Sequence, residues 1–294
     1  MPTVSEVTRI SLKNILFPTD FSAASNEALP FALAFARMYG STLVMAHALP
    51  PDPHLAVVLD RVPEQDNGAW QETRQKLDAL AHQPMFAGIP CKQLVDRGDL
   101  SDIIPAIVGD EKIDMIVLGT HGRRGVCKVV LGSSAEKIYR SAPCPVLTIG
   151  PKAAELAPDW KIRSILCPVD ISADPEVVLH YALSLAEENQ ALILLMEAIP
   201  LVPWQHRDSV GESSRRNLES LIPPHARDWC STEVSVRWEH PADAILKVAA
   251  ERRADLIVMS VHKSHATGLS SHLPWPIASE VVSRARCPVL TVRV

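Results

Sequence analysis

The sequence of 294 residues has no apolar run long enough to cross a membrane and no excess of positive charge. A membrane helix needs about 20 consecutive apolar residues, and the longest apolar run in the second half, residues 191–196, has the length of a strand. The net charge is −5 and neither half is basic, which disfavours a protein that mainly neutralises nucleic-acid phosphates. The N-terminus contains Glu6 and lacks the apolar core of a signal peptide. We therefore expect a cytoplasmic protein that binds neither membranes nor nucleic acids.

Cysteine and histidine are too scattered to predict a disulfide framework or a metal site. The six cysteines form no C-x-x-C pair, which indicates reduced thiols. Histidines at 262, 265 and 272, with His240 before them, form an H-x-x-H pattern that has no Cys or Asp close by. Such a pattern is weak evidence for a metal. We therefore predict no metal ligands, although a metal or anion at this histidine loop stays an open alternative.

Three segments of the sequence recur in the same order, which indicates two copies of one domain. The join between the copies, residues 150–160, contains Pro and Ala and is typical of a linker. We predict a first domain over residues 1–150 and a second over 151–294. The recurring pairs are ILFPTDFS (15–22) with ILCPVDIS (165–172), DMIV (114–117) with DLIV (255–258), and CPVLT at 144–148 and again at 287–291.

Short apolar runs alternate with segments of helical period in both copies. Continuous Ile-, Leu- and Val-rich strands that alternate with helices predict a parallel, doubly wound α/β sheet in each copy. The predicted strands are 14–18, 42–49, 91–95, 115–118 and 146–149 in the first copy, and 164–169, 191–198, 233–238, 256–260 and 289–292 in the second. The predicted helices are 25–39, 70–82, 100–108 and 134–140, then 177–187, 242–251 and 277–284.

A glycine-rich segment follows the strand at 115–118, where ligands of an open parallel sheet bind. Successive backbone N–H groups in such a segment form an anion-binding concavity, and the start of the next helix adds the positive end of its dipole. We predict a phosphate cradle with Gly119 and Gly122 on one side and Gly132 and Ser133 on the other. Ser133 and Glu136 also form a capping box, so the alternative that the glycines only shape a loop and Ser133 only caps a helix stays open.

Asp20 lies just beyond the first strand, at its carboxyl end. A carboxylate in this position can accept hydrogen bonds from two sugar hydroxyls, as in the ribose contact of nucleotide-binding sheets. The alternative is that Asp20 or Ser22 caps the next helix. The combination of this acid with the glycine segment is more specific than either feature alone. The sequence has neither a Walker A motif nor G-x-G-x-x-G, so it predicts neither a P-loop nor a dinucleotide site.

On these residues the sequence resembles the ATP-binding universal stress proteins. The spacing Gly119-x2-Gly122-x9-Gly132-Ser133 is similar to the family signature G-2x-G-9x-G-(S/T). The segments PTDFS (18–22) and CPVL (144–147) resemble the opening and closing strands of the family. The resemblance covers nearly the whole chain as a tandem pair of domains.

The resemblance implies an adenine nucleotide alpha hydrolase-like fold, with a five-stranded sheet of order 3-2-1-4-5 and a nucleotide across its carboxyl edge. It also implies that the last strands, 146–149 and 289–292, pair within the chain. Carried over residue by residue, the resemblance assigns Asp20 to the ribose, the backbone near Ala48 to adenine, and Gly119, Gly122, Gly132, Ser133 and Ser134 to the phosphates.

The second copy keeps the acid, as Asp170, but it has lost the cradle. Ser260 and Lys263 stand where the first copy has its first two glycines. A Leu-Pro pair (273–274) or a Trp-Pro pair (275–276), depending on the alignment, replaces the Gly-Ser pair. Proline has no N–H to offer a phosphate. We therefore expect no ATP in the second domain.

The leading hypothesis is an ATP-binding universal stress protein with a regulatory role in the stress response. ATP, with or without Mg²⁺, would occupy the N-terminal domain, and the partner would be an unidentified regulatory protein. A homodimer is an open possibility beyond the pairing of the two copies. The alternatives are a slow ATPase or autokinase that uses the same pocket, and an interaction protein that binds no nucleotide. No carboxylate is identifiably placed to activate water, so we favour a binding protein over an enzyme.

Overall fold

A computed structural model describes residues 9–50, 68–120, 137–138, 142–171, 175–199, 204–261 and 274–293. Two compact units make up this part of the chain. The N-terminal unit begins at residue 11 and ends at Val146, and the C-terminal unit holds residues 147–293 together with residues 9–10. Within the described ranges, no helix combines the length and the apolarity that a membrane span requires.

The N-terminal unit is a parallel α/β sheet of strand order β3-β2-β1-β4. Its centre is β1, where Ile15, Leu16 and Phe17 are fully buried because helices cover both faces of a parallel sheet. The strands are β1 (Asn14–Pro18), β2 (Thr42–Leu49), β3 (Cys91–Arg97) and β4 (Met115–Gly119). The helices are α1 (Ala23–Tyr39), α2 (Gly68–Ala81) and α3 (Leu100–Asp110).

The C-terminal unit has the strand order β5-β10-β9-β6-β7-β8. When the strands of the second copy are numbered from one to five along the sequence, the last five members have the order 5-4-1-2-3. This order confirms the doubly wound α/β prediction. β5 lies beside β10, as the family resemblance implies for the last strands. The strands are β5 (Val146–Ile149), β6 (Ser164–Pro168), β7 (Leu192–Ala198), β8 (Thr232–Arg237), β9 (Leu256–Val261) and β10 (Val289–Arg293). The helices are α4 (Glu176–Asn189), α5 (Arg207–Leu221), α6 (Pro241–Glu251) and α7 (Pro274–Arg284).

One carboxylate in each copy holds the start of the central strand. Asp114 Oδ2 accepts hydrogen bonds from the backbone N–H groups of Lys13 and Asn14, with O···N distances of 2.7 and 2.9 Å. Asp255 Oδ2 accepts the equivalent two bonds at the start of β6, at 2.9 and 3.0 Å. Each aspartate directly precedes the strand that neighbours the central one, so these bonds fix where the two parallel strands begin relative to each other.

The structure differs from the sequence prediction at α5 and at the predicted linker. α5 was not predicted, because only Ser214 and Leu218 are buried in this polar helix. The 150–160 stretch is folded against the C-terminal unit, with a short 3-10 helix at Ala154–Asp159. Trp160 Nε1 donates to the backbone oxygen of Asp255 at 2.9 Å. The division of the sequence at residue 150 stays a prediction.

We predict that Asp255→Ala lowers the free energy of unfolding by about 2 kcal/mol, because two charge-assisted hydrogen bonds to backbone N–H groups are lost. Asp255→Asn keeps an acceptor oxygen and is expected to cost less. Urea unfolding of the full chain measures both changes. Asp228→Ala is the control, since Asp228 is exposed and its carboxylate forms no hydrogen bond with the described residues. Equal unfolding midpoints for Asp255→Ala and the control would contradict the prediction.

Candidate functional site

The carboxyl ends of β1, β2 and β4 share one edge of the N-terminal sheet, because the three strands are parallel. The register pairs Pro18, the last residue of β1, with Ala46. Ala48 is two residues further along β2, and β4 ends at Gly119. The structure therefore brings Asp20, Ala48 and Gly119, three of the predicted site residues, to the same edge.

The turn after β1 is held together by the buried side chain of Thr19. Its Oγ1 accepts a hydrogen bond from the Phe21 N–H at 3.0 Å and lies 3.1 Å from the Ser25 hydroxyl. Phe21 has a φ of 58°, a left-handed conformation that is unfavourable for a residue with a bulky side chain. Local strain of this kind persists only where surrounding contacts enforce it, and the Thr19 bonds supply such contacts.

Asp20 is exposed at the centre of this turn. Its Oδ1 accepts a hydrogen bond from the Ser22 N–H at 2.9 Å. Ser22 is the N-cap of α1, and its hydroxyl accepts from the Ser25 N–H at 3.3 Å. The capping role that sequence left open thus belongs to Ser22, while Asp20 stabilises the turn and keeps its carboxylate accessible to solvent.

His47 is a feature of this edge to which the sequence analysis gave no role. Its Nδ1 lies 2.7 Å from the backbone oxygen of Thr19. A carbonyl oxygen only accepts, so Nδ1 carries the proton of this hydrogen bond. The imidazole stacks on the Phe21 ring, with 5.0 Å between the ring centroids. The available signal was a histidine in a strand whose other residues, apart from Thr42, are apolar.

Gly119 is required by the packing of α1. A Cβ at this position would lie 2.0 Å from the backbone oxygen of Ala24 and 3.2 Å from the nitrogen of Ser25. The first turn of α1 therefore lies directly against the end of β4, and any side chain at residue 119 displaces it. This close approach explains the glycine without a ligand, so a phosphate contact at Gly119 stays a prediction.

The rest of the predicted cradle falls outside the described residues. This applies to Gly122, Gly132, Ser133 and Ser134, whose assignment to phosphates stays a prediction. The histidine loop at 262–273 also lies outside them.

The described cysteines are free thiols. Burial raises the pKa of Cys144, Cys167 and Cys287 to about 12 in each case. Since the thiolate is the reactive form of cysteine, these three side chains remain protonated and unreactive at neutral pH.

The corresponding edge of the C-terminal unit has different chemistry. Glu197 stands where the first copy has His47, since β6 and β7 pair Pro168 with Met196. Burial raises the pKa of the Glu197 carboxyl above its usual value, the hydrogen bond from the Ser214 hydroxyl acts in the opposite direction, and the charge of Asp170 raises it further. Two carboxylates therefore repel each other at this edge.

We predict that Gly119→Ala lowers the free energy of unfolding by about 3 kcal/mol, because its Cβ would overlap the backbone of α1. Gly109→Ala is the matched control, since Gly109 is an exposed residue of α3 with nothing within 4 Å of an added Cβ. Its replacement is expected to stabilise the chain by about 0.5 kcal/mol through helix propensity. Thermal and urea unfolding measure both effects. Equal stability of the two variants would refute the close approach.

We predict that Glu197→Gln stabilises the chain at neutral pH and has no effect near pH 3. Folding raises the pKa of this carboxyl, so the native state favours its protonated form. Its contribution to stability is therefore highest at low pH, where Glu197 is protonated and uncharged like glutamine, and it is lost as pH rises through the raised pKa. The gain is expected to be about 1 kcal/mol or less, because the half-exposed carboxylate is partly screened by water. Urea unfolding at several pH values tests this; a gain that does not change with pH would contradict it.

Comparisons with known proteins agree with the repeated architecture. Residues 11–150 and 161–293 each match the Universal stress protein family. A universal stress protein of Methanocaldococcus jannaschii is 27% identical over 155 residues, which cover 47% of this chain and 81% of that protein. A universal stress protein of Mycobacterium tuberculosis is 24% identical over 292 residues, which cover 95% of this chain and 96% of that protein.

Solved structures show the same fold. The crystal structure of a universal stress protein from Archaeoglobus fulgidus superposes with a TM-score of 0.70 and 18% sequence identity, covering 95% of this chain and 98% of that one. A functionally unknown protein from Pseudomonas aeruginosa superposes with a TM-score of 0.65 and 20% identity, covering 96% of this chain and 92% of that one.

Proposed function

We propose that this chain, which belongs to the universal stress protein family, binds one adenine nucleotide in its first domain, residues 1–150. The nucleotide is ATP, with or without Mg²⁺, and its role is regulatory, in a cytoplasmic response to stress. The observation that carries the proposal is the exposed Asp20 carboxylate, which shares the carboxyl edge of the sheet with Ala48 and the end of β4. In open parallel sheets this edge is where nucleotides bind.

Asp20 is assigned to the ribose hydroxyls. The side chain is exposed, a carboxylate has about four acceptor sites, and the buried Thr19 holds the turn around it. A turn that is rigid before the ligand arrives lowers the entropy cost of binding. The backbone near Ala48 contacts adenine, since β2 reaches beyond β1 at this edge.

The phosphates are assigned to Gly119, Gly122, Gly132, Ser133 and Ser134. The signature spacing supports this assignment, because it supplies backbone N–H groups and a helix start for an anion.

The second domain, residues 151–294, is proposed to act without ATP, as the pairing or regulatory partner of the first. Glu197 and Asp170 place two carboxylates at its corresponding edge. A triphosphate there would meet like charge in a partly desolvated site, which is unfavourable. The loss of the glycines at this loop supports the same conclusion.

We propose a binding protein rather than an enzyme. Asp20, the exposed acid of the edge, is engaged by the ribose in this assignment, so it does not serve as the base that activates water. Steady phosphate release that disappears in a Gly122 variant would instead indicate a slow ATPase or autokinase. The nucleotide state would be read by a regulatory protein.

We predict that purified protein, when denatured, releases about one adenine nucleotide per chain, because one copy keeps the ribose acid together with the cradle. Chromatography identifies and quantifies the nucleotide. Asp20→Ala and Gly122→Val are expected to reduce the nucleotide to about a tenth or less, since the first removes the ribose acceptor and the second adds a side chain that blocks the approach of a phosphate to the backbone. Asp170→Ala is the matched control in the second copy and is expected to leave the stoichiometry unchanged.

Circular dichroism and thermal unfolding show whether each variant is folded. Release of two nucleotides per chain, or full occupancy in Asp20→Ala, would overturn the assignment. Protein that carries no nucleotide and shows no thermal shift with excess Mg-ATP would favour an interaction protein without a nucleotide.

A further inference from the structure

The C-terminal unit contains a cleft of about 380 Å³ at its carboxyl edge, between α5 and the ends of β6 and β7. Ile171 and Ile199 form apolar walls, while Glu197, Ser213, Ser214 and Asn217 supply polar groups. A mixture of apolar walls and a few polar side chains in this size range is typical of sites for small organic molecules. The family signature does not account for the cleft, because its glycines are missing from this copy.

The described lining of the cleft carries negative charge and no positive charge. Glu197 is the charged residue of the lining, and no Lys, Arg or His is among the described residues that line it. Asp170 lies near enough for its negative charge to act on the Glu197 carboxyl. The Ser214 hydroxyl donates to Glu197, but a neutral donor does not compensate the charge. The cleft therefore has a negative potential with no basic side chain on its described walls.

This potential selects the charge of the ligand. An anion would be repelled by both carboxylates, in a site where partial burial strengthens the interaction. A cation would gain attraction from Glu197 and would relieve its repulsion with Asp170.

The residues that line the cleft are better suited to an organic cation than to a metal ion. A metal ion needs several oxygen or nitrogen ligands close together. Within the described ranges, no group of three His, Cys, Asp or Glu residues is arranged to hold one. The apolar walls at Ile171 and Ile199 would also have no partner if a bare ion occupied the site.

We propose that this cleft binds a small organic cation, a primary ammonium or guanidinium group on an apolar body, with Glu197 as its counter-ion. The apolar body packs against Ile171 and Ile199, and Ser213 and Asn217 hydrogen-bond to polar groups of the ligand. The second domain thus has a ligand of its own, opposite in charge to the nucleotide proposed for the first.

The test compares two probes of one shape, protonated 4-phenylbutylamine and neutral 4-phenylbutan-1-ol. Ligand-observed NMR on the full chain, with excess ATP present, measures the affinity of each. We expect the amine to bind at least about ten times more tightly than the alcohol, because a charge-assisted hydrogen bond is roughly twice as strong as a neutral one.

Two matched variants assign the effect to the cleft. Glu197→Gln keeps the shape of the side chain and is expected to abolish the preference for the amine. Glu212→Gln removes a carboxylate from the same helix outside the lining and is expected to keep the preference. The chain is folded in both cases if its urea unfolding remains cooperative.

Equal binding of amine and alcohol to the unmodified chain would overturn the proposal, as would an equal loss in both variants. Displacement of the amine by adenosine at lower concentration would also overturn it, in favour of a neutral nucleoside. The result does not depend on the nucleotide of the first domain, because a chain that binds no ATP retains the cleft and can be titrated in the same way.

Discussion

The hydrogen bonds that Asp114 and Asp255 accept at the starts of β1 and β6 are the constraint on which both copies depend. Each carboxylate ties the first N–H groups of a central strand to the beginning of its parallel neighbour. A shift of one residue in this register would move every side chain of the strand to the other face of the sheet. With the amino ends aligned, the carboxyl ends are also aligned, so residues distant in sequence meet at one edge.

The two copies share this scaffold and differ at the edge that it positions. The first copy has Gly119 at the position where the second has Ser260. The two copies also differ in the position at which the helix after the central strand begins. A Cβ at residue 119 would lie 2.0 Å from the backbone oxygen of Ala24 in α1. The helix α4 begins at Glu176, later in its copy than α1, which begins at Ala23. The close approach between β4 and the first turn of α1 is therefore found in the copy that has the glycine.

The strands were the most predictable part of the fold, and contacts across the edge the least. β1, β2 and β5 have the predicted bounds, because continuous apolar residues buried on both faces leave a clear pattern. α5 was missed because burial of Ser214 and Leu218 alone leaves no apolar stripe. The order of strands placed Asp20, Ala48 and Gly119 together. The bond between His47 and Thr19 depends on the distance between two strands, which no local pattern encodes.

Glu197 occupies the position in the second copy that His47 occupies in the first, so the two edges differ in charge. The imidazole donates from Nδ1 to the Thr19 oxygen and adds no negative charge beside Asp20. In the second copy Glu197 adds a carboxylate that interacts with Asp170, which increases the repulsion of an anionic ligand. Since a ligand stabilises the folded state according to its own concentration and affinity, ligands of opposite charge would stabilise the two copies without competing for one site. Duplication of one scaffold, followed by a change of charge at one edge position, is sufficient in physical terms for a chain that responds to two chemically different ligands.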